Sequence, residues 1–165
     1  MLALAYKYQE ELNSKMLEIA FNDKYKYYNN GIYWDYTKPI ENDSWNKLQF
    51  VSIDKNDNIL GYLEATIGRT NELISGLAII NFYDTNITFS KDLYEFLTSL
   101  FEKHNFRKIE FEVVQGNPIE KMYDRCVRKY GGRIVGILNQ HVKLSDNNYY
   151  NLKMYEIFKV DYDNM

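Results

Sequence analysis

The chain has 165 residues, 45% hydrophobic and 26% charged, with 16 Tyr and 9 Phe, so it holds one domain with a full core and is not a disordered segment. Its 20 Lys and Arg are outnumbered by 23 Asp and Glu, for a formal charge of −3, and they are spread along the sequence, which excludes a field that gathers a nucleic-acid backbone. No apolar run nears the roughly 20 residues that cross a bilayer, the start "MLALAYKYQEELNSK" lacks the pattern of a secretory signal, and the single thiol, Cys126, has no disulfide partner in the chain. The expectation is a cytoplasmic protein, one domain over residues 1–165, with no nucleic-acid or membrane partner.

Residues 4–21 put Leu4, Tyr8, Leu12, Met16, Ile19 and Ala20 on one stripe and predict a first helix. The next segment, "NDKYKYYNNGIYWDYTKPIENDSWNK", mixes rings with Asn, Gly and Pro and has no period, so it reads as a long loop. "LQFVSID", "KNDN" and "ILGYLEATIG" make a β-hairpin, and "LISGLAIINF" a third strand. In "YDTNITFSKDLYEFLTSLFEKHNF", Phe89, Leu93, Phe96, Leu97, Leu100 and Phe101 recur at helical spacing, with Ser90 as the expected N-cap. "KIEFEVV" alternates as a strand with one wetter face.

In "VVQGNPIEKMYDRCVRKYGGRIVG" a strand ends and a helix begins at once. Asn117 suits the cap, Pro118 the first helical position and Glu120 the third, and Gly131 and Gly132 stop the helix. "RIVGILNQHVKL" and "YYNLKMYEIFKV" form a closing hairpin across "SDNN". Two strand-helix units, 73–101 and 108–130, one crossover apart, place their strands parallel and adjacent, flanked by antiparallel hairpins. The fold class is therefore α+β, a mixed and mostly antiparallel sheet with helices on both faces.

This order, with "GLAIINF…FSKDLYEFLTSLFEKHNFRKIEFEVVQGNPIEKMY…KYGGRIVGI", resembles the GNAT superfamily of acyl-CoA-dependent N-acyltransferases, over about Leu48 to Val160. The resemblance implies that the parallel pair splays to admit the pantetheine arm and that the next helix offers its N-terminus to the pyrophosphate. It implies acetyl-CoA as co-substrate and a primary amine of a small molecule or protein as acceptor; the two histidines and one cysteine, far apart and without a carboxylate cluster, give the expectation of no metal, and a homodimer is one assembly open to the chain. The thioester carbonyl would meet a main-chain amide around Ala78, Ile79 and Ile80. The pyrophosphate loop would be "DTNITFSK", where Asn86, Thr88 and Ser90 stand at positions the family fills with glycine, beside Phe89 and Lys91. Asn117 would start the helix facing the thioester.

For the general acid the resemblance points to Tyr123, one residue earlier than the family spacing; its place on the apolar stripe favours a core tyrosine with a satisfied hydroxyl over that role. Glu64, Glu112 and His141 are candidate bases, acting directly or through water. Tyr33, Trp34 and Tyr36 would box an amine by cation-π contact, with Asp35 and Glu41 pairing its charge. His104 reads as a partner of a helix end, and Cys126 as a buried inert thiol. The alternative to the enzyme is a GNAT-like binding module that has lost coenzyme binding through its glycine-poor loop, and a longer acyl donor is a third reading.

Overall fold

The computed structural model describes residues 1–28 and 39–165. Seven strands form one sheet in the order β1-β2-β3-β4-β5-β7-β6: β1 (Leu2–Leu4), β2 (Lys47–Ile53), β3 (Ile59–Gly68), β4 (Leu73–Asn81), β5 (Lys108–Val114), β6 (Arg133–Lys143) and β7 (Tyr149–Phe158). Every neighbouring pair is antiparallel except β4 and β5, so the sheet is mixed, as expected. The helices are α1 (Gln9–Ala20), α2 (Ile87–Glu102), α3 (Glu120–Lys129) and the short α4 (Lys159–Asp163). No helix among the described residues is long and apolar enough to cross a membrane.

Several boundaries differ from the sequence reading. The first helix begins at Gln9, because residues 2–4 pair with Ser52, Val51 and Phe50 as an edge strand and a 3-10 turn follows at Ala5–Tyr8. α2 begins a turn earlier than Ser90: Asn86 is the cap, its Oδ1 accepting from the Phe89 amide at 3.0 Å, while the Ser90 hydroxyl donates back to the Asn86 carbonyl. α3 is helical only from Glu120, with Ile119 and not Asn117 at its N-cap position, because Asn117, Pro118 and Ile119 form a turn ahead of it. The last strand stops at Phe158, and α4 takes up Lys159 onward.

The alternation along each strand sorts the core onto two faces. Leu63, Ile79, Ile109, Phe111 and Tyr155 pack under α2 and α3, against Phe96, Leu100, Tyr123 and Val127. Val51, Tyr62 and Ile80 pack on the other face against Leu12, Met16 and Ile19 of α1. α2 lies close on β3 because Gly61 has no side chain: a Cβ there would sit 2.2 Å from the Phe89 ring.

β4 and β5 pair over two residues only, Leu73 with Lys108 and Ile74 with Ile109, and then part. Beyond that point β4 keeps its ladder to β3 and β5 its ladder to β7. Phe82 N–H donates to Leu60 C=O and Gln115 N–H to Asn151 C=O. Since an antiparallel strand gives only alternate residues to one neighbour, Ala78 and Ile80 are committed to β3, and Phe111 and Val113 to β7. The backbone groups of Leu77 and Ile79 on β4, and of Glu110 and Glu112 on β5, therefore face the gap.

Candidate active site

The gap offers unpaired main chain in the interior of the sheet, and α2 and α3 begin just beyond its open end. At α2, Asn86 satisfies the third amide and leaves those of Ile87 and Thr88 without a partner among the described residues. The aromatic residues of this loop do not plug the opening. Phe89 is buried against Gly61, Phe82 packs with the α1 core, and Tyr83 is exposed beside Lys15. Ser90 and Lys91 are exposed on the first turn. Asp84, in the same loop, pairs with Lys24.

At α3 the mounting is tight. The Asn117 side chain is buried, its Oδ1 accepts from the Ile119 amide at 3.1 Å, and its carbonyl accepts from Glu120. Glu120 Oε2 takes the Gly116 amide at 3.1 Å, and Gly116 sits at φ +93°, a conformation other residues rarely adopt. Glu120 Oε1 and Asp124 Oδ1 both accept from Lys153 Nζ, at 3.1 and 2.7 Å, and Asp124 Oδ1 also accepts from the Tyr155 hydroxyl at 2.8 Å. Lys153 and Tyr155 project from β7, so α3 is pinned to the sheet by its first turn. Its hydrogen bonds to Lys153 and Tyr155 hold the Asp124 carboxyl below the usual range.

Tyr123 stands between those two pinned carboxylates. Its ring meets Phe111 edge-on at 5.0 Å and Tyr155 at 6.0 Å, and it shares a cavity wall with Leu77 and Ile79 at the gap. Its hydroxyl makes no hydrogen bond to a described residue. Burial, and next the nearby Tyr28, push that hydroxyl well above the ordinary tyrosine range, so it keeps its proton at neutral pH. The spacing that counted against a role here thus still sets Tyr123 at the gap.

Tyr28 ends a 3-10 segment, Asp23–Tyr28, that runs across the open end of the gap from the α1 face. Tyr25 donates to the Phe82 carbonyl at 3.0 Å, Lys26 binds Asp146 and the Tyr150 hydroxyl of the last hairpin, and the Tyr27 hydroxyl lies against Gly116. On the same face Glu64 is buried and accepts from Gln49 at 2.8 Å, Tyr62 at 2.7 Å and Lys47 at 3.4 Å. Ala78 and Ile80 belong to this face, while Ile79 belongs to the other. Gln49 also donates to the Pro39 carbonyl, and its Oε1 accepts from the Glu41 amide.

Glu112 alternates with Phe111 and Val113 and so lies on the α1 face too, exposed beside the gap. His141 is exposed on edge strand β6, with β7 between it and β5, so the structure does not bring it next to Tyr123. His104 stacks on Phe106 at the end of α2. Cys126 is half-buried, and burial raises its thiol. Tyr33, Trp34, Asp35 and Tyr36 fall outside the described residues. Among the described residues no His, Cys, Asp and Glu side chains cluster as metal ligands.

Sequence reasoning passed over Lys153, Asp124, Tyr155 and Tyr28. A signal for the first two exists: Glu120 and Asp124 recur at i, i+4 on α3, and Lys153 stands between Leu152 and Met154 in the middle of a strand, which together mark a charge that a helix can cover.

No family model and no curated protein matches the sequence. Solved structures do. The spermidine/spermine N-acetyltransferase SpeG of Vibrio cholerae aligns at 22% identity over 73% of this chain and 70% of its own, with a TM-score of 0.63. A dodecameric spermidine N-acetyltransferase structure from the same organism gives the same identity, coverage and TM-score. A GCN5-related N-acetyltransferase from Brucella melitensis aligns at 18% identity over 98% of this chain and 76% of its own, with a TM-score of 0.67. At these identities the likeness concerns architecture, and it agrees with the parallel pair, the splay and the helix order: the chain has the fold of the GCN5-related N-acetyltransferases.

Proposed function

We propose that the chain is an N-acetyltransferase that moves an acetyl group from acetyl-CoA to a primary amine. The observation that carries this reading is the parallel pair that separates after Ile74 and Ile109, with Tyr123 at its wall. The residues present fit an acyl-CoA. The free edge of β4 at Leu77 and Ile79 offers donors and acceptors to an amide-bearing arm, and the open amides of Ile87 and Thr88, with Ser90 and Lys91, suit a pyrophosphate. Bound there, the thioester supplies an activated carbonyl.

The chain's own groups then have distinct tasks. A main-chain amide facing the gap, Leu77 or Ile79, polarises the carbonyl oxygen. The amine nitrogen bonds to the carbonyl carbon as the carbon-sulfur bond breaks, the electron pair leaves on sulfur, and Tyr123 gives its proton to that sulfur. The proton shed by nitrogen leaves by the α1 face, where Glu64 and Glu112 lie. These carboxylates also suit a cationic acceptor, and the structural neighbours named for spermidine point to a polyamine as the first small amine to test. We place His141 outside this chemistry. A homodimer, or the larger assembly of the dodecameric neighbour, is proposed through β6, whose Ile134, Val135, Ile137 and Leu138 are exposed. The single thiol fits a cytoplasmic setting.

One observation favours the second reading, a binding module without coenzyme: Asp84 puts a negative charge in the loop that would hold the pyrophosphate, and Asn86, Thr88 and Ser90 fill its glycine positions. A calorimetric titration with acetyl-CoA separates the two. Saturable binding, followed by acetyl transfer to spermidine or another primary amine, supports the enzyme. No heat and no shift in melting temperature overturn it, since ligand at 100-fold its Kd stabilises a fold by about 2.7 kcal/mol.

A further inference from the structure

The gap opens into more space than an acetyl group fills. Between α2 and α3, over β4 and β5, lies a cavity of about 210 Å³. One end is at Leu77, Ile79 and Tyr123; the other, toward the point where the strands rejoin, is at Phe101, Tyr130 and Tyr162. Tyr162 closes that end from α4, its ring 4.8 Å from Phe101 and 5.6 Å from Tyr130.

Three hydroxyls around this space are engaged elsewhere, and that of Tyr123 stands at the end where the thioester would lie. Ser90 Oγ donates to the Asn86 carbonyl at 3.0 Å, Thr98 Oγ1 to the Glu95 carbonyl at 3.1 Å, and Tyr162 Oη to Glu102 at 2.7 Å. What faces inward is carbon, with Met122 and the neutral Cys126 thiol. Burying an amide without a partner costs about 1–3 kcal/mol, so the amides of a pantetheine arm belong along the β4 edge and not here. A hydrocarbon chain incurs no such cost, and a dry apolar cavity of this order takes up apolar guests.

We propose that this cavity receives the acyl chain of the donor, so that thioesters of medium-chain acids, in the six- to eight-carbon class, are donors as well as or in preference to acetyl-CoA. The proposal rests on the acyltransferase reading above. The chemistry at the thioester is unchanged: nitrogen-carbon bond formation, carbon-sulfur cleavage with the pair on sulfur, and a proton to sulfur. Only the group carried on the carbonyl grows.

The test is a calorimetric series of acetyl-, hexanoyl- and octanoyl-CoA on the intact protein, repeated on Leu97→Phe and Cys126→Phe, which fill the cavity from its two helical walls. Each methylene seated in the cavity tightens binding by up to about fourfold, so affinity climbs with chain length in the wild type. In either filled variant the octanoyl-to-acetyl affinity ratio falls at least tenfold. Equal affinity for all three donors in the wild type, a measurement that needs no variant, overturns the proposal while leaving acyl transfer standing. A chain preference that survives filling both walls also overturns it. Failure of every acyl-CoA to bind removes the acyltransferase reading itself, and the proposal with it.

Discussion

Two helices leave the ends of the two separating strands, and an asparagine stands at each start, as the cap of α2 and in the turn just ahead of α3, yet the two starts are built for opposite purposes. At α2, Asn86 secures the third amide, and the amides of Ile87 and Thr88 remain open at an exposed loop. At α3, Asn117 is buried, Glu120 reaches back to Gly116, and Lys153 and Tyr155 hold the first turn from the sheet. The same residue type thus leaves one helix end available to an anion and fixes the other so that Tyr123 keeps its place. The lesson is that a cap motif marks where a helix begins but not what its end is for; the second side chain to reach it decides that.

The largest expected effect tests the fixed end. Tyr123→Phe should lower the rate of acyl transfer by about 10²–10⁴-fold, the usual worth of a placed proton donor, with little change in melting temperature because the hydroxyl has no described partner to lose. A wild-type rate would mean that α3 is pinned for packing alone.

Lys153→Met comes next. Removing one member of a largely buried ion cluster should cost about 3 kcal/mol in a denaturant titration, with Glu120 and Asp124 left facing an apolar side chain. It should also change the response to acid. The Asp124 carboxyl titrates lower in the folded chain than its unfolded value of about 3.9, so its stabilisation is complete above about pH 5 and drains away as pH falls through and below 4. The wild type should lose stability more steeply than the Met variant across that window, and parallel curves would show that Asp124 draws nothing from Lys153.

The two asparagines can be compared directly. Asn117→Ala should destabilise by about 2 kcal/mol, as a buried side-chain hydrogen bond ahead of α3 is lost, and Asn86→Ala by about 1 kcal/mol, the middle value for a lost cap. Reversed magnitudes would contradict the assignment of locked and open starts. The smallest effect tests the open end: Asp84→Asn, which frees Lys24 and removes an anion, should tighten acyl-CoA binding by roughly two- to fivefold at low salt, with the gain vanishing at high ionic strength.

Much of the fold was legible because its signals are local. Period-two runs marked six of the seven strands, and the stripes of Phe96 and Leu100 on α2, and of Tyr123 and Val127 on α3, marked two helices. β1 was not legible: three residues carry no period, and only their pairing with β2 makes them a strand. The start of α2 was misplaced because Ile87 is exposed and so stands off the stripe.

The candidate site was legible only in outline. The pinned carboxylates and Lys153 meet across 33 and 29 residues of sequence, and Tyr28 meets Tyr123 only because a segment crosses between strand ends. Sequence spacing holds no record of such meetings.

The two-residue union of β4 and β5 also bears on motion. By backbone hydrogen bonding the sheet is nearly two half-sheets, β1 to β4 and β5 to β7, hinged at Leu73 and Ile74. A guest in the gap stitches the halves together, donating and accepting where the missing ladder would have been. Amide exchange at Leu77 and Ile79 should then slow on binding far more than at Ala78 and Ile80, which β3 already protects. Occupancy of the site would be written in alternate residues of a single strand.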